Sequence, residues 1–254
     1  MLDYGEFCYL DVQKTGSSFI SKFLRATSTV PPVLLKRHAS VRLPTPKSEP
    51  GEPGVFRNGT FYFNSVRNPL KYYASLYNYG CDKRGGLYKS LQANGLAELY
   101  DGTKEGFFRW CDFLLKDKNA RYLHKSYPRA SEAGIGFLTH RFLKLSVPSP
   151  QKLLRSVRST ADALAALNEH NICQFTIRNE TLTEDLEYLI QNQLKGFVNP
   201  KKCKKFLSGD KINSSKTNAA TDKFFSDYAD IDIIIDRDRI IFEKFYPDVL
   251  KSLS

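Results

Sequence analysis

Phe7-Cys8-Tyr9-Leu10-Asp11-Val12-Gln13-Lys14-Thr15-Gly16-Ser17-Ser18-Phe19-Ile20 is the stretch on which the reading of this chain turns. Phe7 to Val12 is short, apolar and bounded by polar residues, as a buried parallel strand is. Gln13 to Ser18 is a polar turn with one glycine, and Phe19, Ile20, Phe23 and Leu24 then recur at helical spacing. A strand, a tight loop and a helix in that order aim the helix N-terminus back at the loop. Open N–H groups and the helix dipole then make an anion cradle, in which Gly16 permits close approach and Lys14 adds a full charge. It is not a Walker A loop, G-x-x-x-x-G-K-[ST], because Lys14 precedes a single glycine.

Working outward, Phe61 to Val66 reads as a second strand. Arg67-Asn68-Pro69 ends it, with Pro69 suited to the first helical position, and Tyr73, Leu76 and Tyr77 give the following helix one apolar face. Ser75 lies about 9 Å beyond Pro69 along the helix axis, at ~1.5 Å per residue, and its side chain tilts back toward the N-terminus. Arg67 and Ser75 are therefore expected to meet over one anion at the carboxyl end of the strand, where open α/β sheets bind ligands.

The rest of the chain is more ordinary. Residues 30–59 are proline-rich and aperiodic after Leu35, an excursion that runs past His38. Residues 105–118 look helical, Ser149-Pro150 opens a helix through Leu153, Val157, Ala161 and Leu164, and residues 172–177 are a third strand candidate. Thr181 or Thr183 starts another helix, and Phe224, Tyr228, Ile231, Ile235, Phe242 and Phe245 stripe a long closing one. Strands alternate with helices without a visible linker. The expected fold class is α/β, one domain over residues 1–254, with a mainly parallel central sheet.

Composition sets the outer limits. The 254 residues include 38 Lys+Arg and 27 Asp+Glu, a formal net charge of +11. With 18 Phe and 14 Tyr the chain is not intrinsically disordered as a whole. Its apolar runs fall well short of the ~20 residues of a spanning helix, and residues 1–6 lack the basic start of a signal peptide. Five cysteines without a C-x-x-C pair suggest neither a disulfide scaffold nor a zinc site, so a reducing, cytoplasmic setting is expected. A Golgi lumenal domain trimmed of its anchor would read the same way. Eight lysines between Lys195 and Lys223 face only Asp210 and Asp222, and ten basic residues between Lys116 and Arg158 face two acids. An anionic ligand accounts for both runs most economically.

Taken together, Gln13-Lys14-Thr15-Gly16-Ser17-Ser18 and Val66-Arg67-Asn68-Pro69 with Ser75 resemble the sulfotransferase superfamily. Its members carry a 5′-phosphosulfate loop P-K-[ST]-G-[ST]-[ST], then a 3′-phosphate site [VI]-R-[DN]-P with a serine eight residues after the arginine. Residues 178–186 and the closing Asp236-Arg237-Asp238-Arg239 are weaker echoes, and Gln13 departs from the pattern by replacing the usual proline. The resemblance implies a P-loop NTPase-like, three-layer α/β sandwich. It also implies transfer of a sulfuryl group from 3′-phosphoadenosine 5′-phosphosulfate (PAPS) to an acceptor hydroxyl on a glycan or other small molecule, leaving adenosine 3′,5′-bisphosphate (PAP), without a metal.

Lys14 would neutralise the leaving oxygen, with Thr15, Gly16, Ser17 and Ser18 holding the 5′-phosphate and Arg67 and Ser75 the 3′-phosphate. Phe19 stands where many members stack a Trp on adenine, and Lys211, Asn213, Ser214 and Lys216 could complete the nucleotide site from the basic loop. His38, after the strand-like Leu34-Leu35, corresponds to the catalytic histidine of several members, and like charges on Lys36, Arg37 and Arg42 are expected to keep it neutral. His140 and Arg141, in a basic segment, are candidates for acceptor contact. Two other readings stay open: a P-loop-type small-molecule or nucleotide kinase, and a basic nucleic-acid-binding module, which no recognised motif supports.

Overall fold

Leu10 and Asn64 sit side by side on two parallel strands, and the loops that leave these strands carry most of the residues singled out above. The structure, a computed structural model, describes residues 1–209, 224 and 231–253. In chain order the first elements are β1 (Leu2–Asp3), β2 (Phe7–Leu10), α1 (Ser17–Thr27), β3 (Leu34–Leu35) and β4 (Phe61–Val66). Helices follow: α2 (Pro69–Cys81), α3 (Gly85–Ala93), α4 (Lys104–Leu115), α5 (Ala120–Leu123) and α6 (Pro128–Glu132). After α7 (Phe137–Ser146), α8 (Pro150–Ser156) and α9 (Thr160–His170) come β5 (Phe175–Arg178), α10 (Leu182–Asn192) and α11 (Pro200–Leu207). The described chain closes with α12 (Asp232–Arg237), α13 (Arg239–Phe245) and α14 (Pro247–Leu253).

These elements form two compact units. The first comprises residues 1–67, 141–154 and 165–209, and the second residues 68–140, 155–164 and the described residues from 224 onward. The fold is mixed α/β, and its sheet lies in the first unit with strand order β3-β1-β2-β4-β5. The pairings β2–β4 and β4–β5 are parallel, whereas β1 pairs antiparallel with both β2 and β3. The sheet is therefore mixed, parallel through β2, β4 and β5 and antiparallel at β1. The cause is local: Gly5 takes a left-handed φ of 88° and its N–H donates to Asp3 Oδ1 at 3.0 Å, so β1 folds straight back onto β2.

All four residues of β2 are buried, as the apolar run requires of an inner strand. Tyr9 packs on Phe63 with ring centroids 5.2 Å apart, and Ile20, Phe23 and Leu24 of α1 join Leu186 and Leu189 of α10 and Cys203 of α11 in the same core. On the alternate side of β4, Asn64 Nδ2 donates to Ser146 Oγ at 2.7 Å. Sheet residues two apart share a face, so β4 separates an apolar contact from a polar one by simple alternation.

The second unit is helical. Asn68 caps α2 by accepting from Leu70 N at 3.0 Å, with Pro69 in the first turn as the sequence suggests. Tyr77, Phe107 and Trp110 pack ring against ring. Asp238, wholly buried, accepts from Thr139 N, Thr139 Oγ1 and Tyr73 Oη at 2.6–2.7 Å, and so caps the start of α7 from a distance. Two expectations change here. From Ile231 to Phe245 the closing stripe is two short helices, α12 and α13, parted at Asp238, rather than one long helix, and Tyr228 of that stripe lies outside the described residues. The Ser149-Pro150 helix likewise ends at Ser156, and Thr160 starts a new one.

Candidate functional site

Parallel pairing puts the carboxyl ends of β2, β4 and β5 on one edge of the sheet, followed respectively by Asp11 to Ser18, by Arg67 and by Asn179. This edge is where side chains from separate strands can converge on one ligand.

The loop after β2 is shaped by two left-handed residues, Lys14 at φ 65° and Gly16 at φ 85°. Gly16 is the N-cap of α1, and no side chain caps that helix. The N–H groups of Phe19 and Ile20 return to Gly16 O at 2.9 and 3.2 Å, so the amides of Ser17 and Ser18 face the open end of the helix. Glycine is required at position 16 on two counts. A Cβ there would be strained at that φ, and would stand 2.7 Å from both Asn179 Nδ2 and Leu182 Cδ1.

Thr15 faces inward rather than toward a ligand. Its hydroxyl donates to Val12 O at 2.8 Å and lies 2.6 Å from Ser65 Oγ, which in turn is 2.6 Å from Tyr9 Oη. This buried chain of hydroxyls ties the loop to β2 and β4. Ser17 is buried, Ser18 is exposed, and Lys14 is half-buried.

Asp11, which the sequence hides inside an apolar run, is the hub beneath the loop. It is completely buried, and its carboxylate accepts from the Arg37 guanidinium and, at 2.7 Å, from the backbone N–H of His38. Arg37 Nη2 also reaches Ser17 Oγ at 3.5 Å, which links the His38 segment to the loop after β2. His38, at φ 55°, places Nδ1 2.7 Å from the main-chain oxygen of Asp11. A carbonyl can only accept, so Nδ1 carries the proton and Nε2 is the basic nitrogen.

Burial lowers the His38 pKa below its usual value, Asp11 partly opposes that shift, and Arg37 reinforces it. The neutral ring expected from sequence is thus produced first by desolvation; of the cations invoked, only Arg37 contributes among the resolved causes.

The remaining described candidates divide between the two units. Arg67 ends β4 in the first unit, half-buried, and Ser75 lies on α2 in the second. Phe19 packs edge-on against Phe206 of α11 at 5.3 Å, which gives it a core partner. His140 is 1% exposed, with Nε2 3.2 Å from Ser126 Oγ and its ring 5.5 Å from Tyr127. Arg141 is half-buried. Lys211, Asn213, Ser214 and Lys216 lie outside the described residues.

Among the described residues, no group of three or more His, Cys, Asp or Glu is placed to hold a metal ion, and no helix is long and apolar enough to cross a membrane. Asp11, Arg37 and Ser65 are the site residues that motif reading passes over, whereas Asn179, against Gly16, falls in the 178–186 echo. The signal available for Asp11 was an acid at the end of a buried strand, which must have partners to be there. No family model matches the chain, and no curated protein or solved structure matches it.

Proposed function

We propose that this chain is a PAPS-dependent sulfotransferase built on a P-loop-like strand–loop–helix, moving a sulfuryl group to an acceptor hydroxyl. One observation carries the reading. The two residues that the sequence marks for chemistry, Lys14 and His38, are both non-glycine residues held at positive φ, and Arg37 spans Asp11 and Ser17 between their segments. Left-handed backbone at such residues costs ~1–3 kcal/mol each and gathers at functional sites.

In this reading the Ser17 and Ser18 amides and the α1 dipole hold the 5′-phosphate, and Lys14 neutralises the oxygen on which charge develops as the sulfur–oxygen bond breaks. Arg67 takes the 3′-phosphate. Nε2 of His38 accepts the acceptor's hydroxyl proton as the new oxygen–sulfur bond forms, and the Asp11 oxygen and carboxylate hold the resulting imidazolium. Direct calorimetry with PAP tests the proposal. Binding without Mg²⁺ supports it; no PAP binding, or binding of ATP only with Mg²⁺, refutes it in favour of the kinase reading.

A further inference from the structure

Tyr9 of β2, Thr15 of the following loop and Ser65 of β4 are wholly buried, and their hydroxyls form one chain. The end of the chain fixes its direction. Thr15 Oγ1 donates its only proton to Val12 O at 2.8 Å, so the 2.6 Å bond between Thr15 and Ser65 is donated by Ser65 Oγ. That uses the Ser65 proton, and the 2.6 Å bond between Ser65 and Tyr9 is therefore donated by the phenol. Burial pushes the Tyr9 pKa up, so this first donor keeps its proton at neutral pH.

The chain joins two particular places. Thr15 lies between Lys14 and Gly16, the left-handed residues that shape the loop, and its side chain anchors that loop in the core. Ser65 stands two residues before Arg67, on the same face of β4 as Phe63, the residue opposite Tyr9. Pairing between β2 and β4 ends at Leu10 and Asn64. Past that point the Ser65–Thr15 bond carries the connection onward, from the loop after β2 to the strand end that holds Arg67. Each such bond replaces one to water and adds little net stability, but its geometry is exacting.

We propose that Ser65 is a positioning residue, which acts through Thr15 to set the spacing between the two phosphate subsites, the Lys14–Ser18 loop and Arg67. The inference rests on the sulfotransferase reading, in which one nucleotide engages both subsites at once. Two contacts made by one ligand reinforce each other only while their separation matches it. A misplacement of ~1 Å costs as much as ~10²-fold.

Calorimetry on the full chain, with PAP and with adenosine 5′-monophosphate, which lacks the 3′-phosphate, reads that spacing as a ratio of affinities. Wild type should bind PAP about tenfold more tightly or better, as one charged hydrogen bond implies. Tyr9→Phe combined with Ser65→Ala removes both partners of one bond and leaves Thr15 its bond to Val12 O. This double variant should melt close to wild type, while the ratio narrows by about fivefold or more. Ser65→Ala alone leaves the buried phenol without its acceptor, so it should melt lower and show the same narrowing. Tyr9→Phe alone keeps the Ser65–Thr15 bond and should keep the wild-type ratio. A ratio unchanged by loss of the Ser65 hydroxyl, or narrowed as much by Tyr9→Phe as by Ser65→Ala, overturns the proposal. Wild type that binds the two nucleotides equally, or binds neither, refutes the sulfotransferase reading itself, and the inference falls with it.

Discussion

His38 donates through Nδ1 to the main-chain oxygen of Asp11 at 2.7 Å, and Oδ2 of the same residue lies 3.3 Å from that nitrogen. One residue thus fixes both the tautomer and the charge environment of the imidazole. Burial is the larger influence and lowers the His38 pKa; the Asp11 carboxylate raises it.

The acid limb of kcat/KM should accordingly fall below the ordinary histidine pKa of ~6.5, and Asp11→Asn should move it lower still by removing the opposing charge. His38→Ala should cost ~10²–10⁴-fold in turnover and leave PAP affinity near wild type. Stability follows with a definite sign. The unfolded chain takes up the proton first on acidification, so the His38 contribution is whole above pH ~6.5 and is lost as pH falls through the folded value. Imidazole NMR titration of wild type and Asp11→Asn reads the same shift directly. A limb at or above pH ~6.5, unmoved by Asp11→Asn, removes His38 as the base.

Local periodicity explains what could be read in advance. The β2–loop–α1 segment, β4 and the Pro69 start of α2 each carry their pattern in a few consecutive residues. The two-residue strand β1 carries none, and β3 shows only the strand-like Leu34-Leu35; their pairing, Leu2 with Leu35, is what the sequence does not display. Asp11 is legible as an anomaly but its partners are not, because Arg37 and His38 reach it across an aperiodic excursion. Asp238 looks like one more charge on a helical stripe; its use as a buried cap for α7 depends on contacts far away in sequence.

Gly16→Ala should harm binding and folding together. The new methyl would lie 2.7 Å from Asn179 and Leu182 at a φ of 85°. Left-handed strain of ~1–2 kcal/mol and an overpacking cost of similar size make a loss of about 2 kcal/mol or more the expectation. Urea unfolding measures it, and PAP binding should weaken beyond what the unfolded fraction explains. A fully stable variant with normal PAP affinity would show that the loop does not need glycine here.

Arg67→Ala should narrow the discrimination between PAPS and adenosine 5′-phosphosulfate, which lacks the 3′-phosphate. A charged hydrogen bond contributes ~1.5–3 kcal/mol, so the preference should shrink by about tenfold or more. Competition titrations with both nucleotides measure the ratio. Wild-type protein that binds the two equally has no 3′-phosphate site at Arg67.

Asp238 predicts a pH dependence of the opposite sense to His38. Burial raises its pKa despite the bonds from Thr139 and Tyr73, so the folded chain holds this proton more firmly than the unfolded one. Its contribution is complete below the unfolded value of ~3.9 and declines as pH rises through the folded pKa. The stability difference between wild type and Asp238→Asn, followed by urea unfolding from pH 4 to 7, should move against wild type as pH rises. Asp238→Ala leaves three donors without an acceptor and should cost about 3 kcal/mol or more at any pH in that range.

Lys14 offers the sharpest separation of chemistry from stability. At φ 65° its Cβ is strained, and that strain is independent of the ammonium. Lys14→Ala and Lys14→Gly both delete the charge, so both should lose ~10²-fold or more in turnover, comparable to removing one oxyanion-type donor. Only glycine relieves the backbone. A left-handed Cβ costs ~1–2 kcal/mol, and the greater freedom of glycine in the unfolded chain returns ~0.4–1 kcal/mol of that. Lys14→Gly should therefore be more stable than Lys14→Ala by up to about 1.5 kcal/mol in urea unfolding, while the two are equally inactive. PAP affinity should fall less than turnover in both, because the lysine acts mainly on charge that develops as the bond breaks. If either variant turns over normally, Lys14 is not part of the chemistry, and the left-handed backbone at position 14 serves the loop alone.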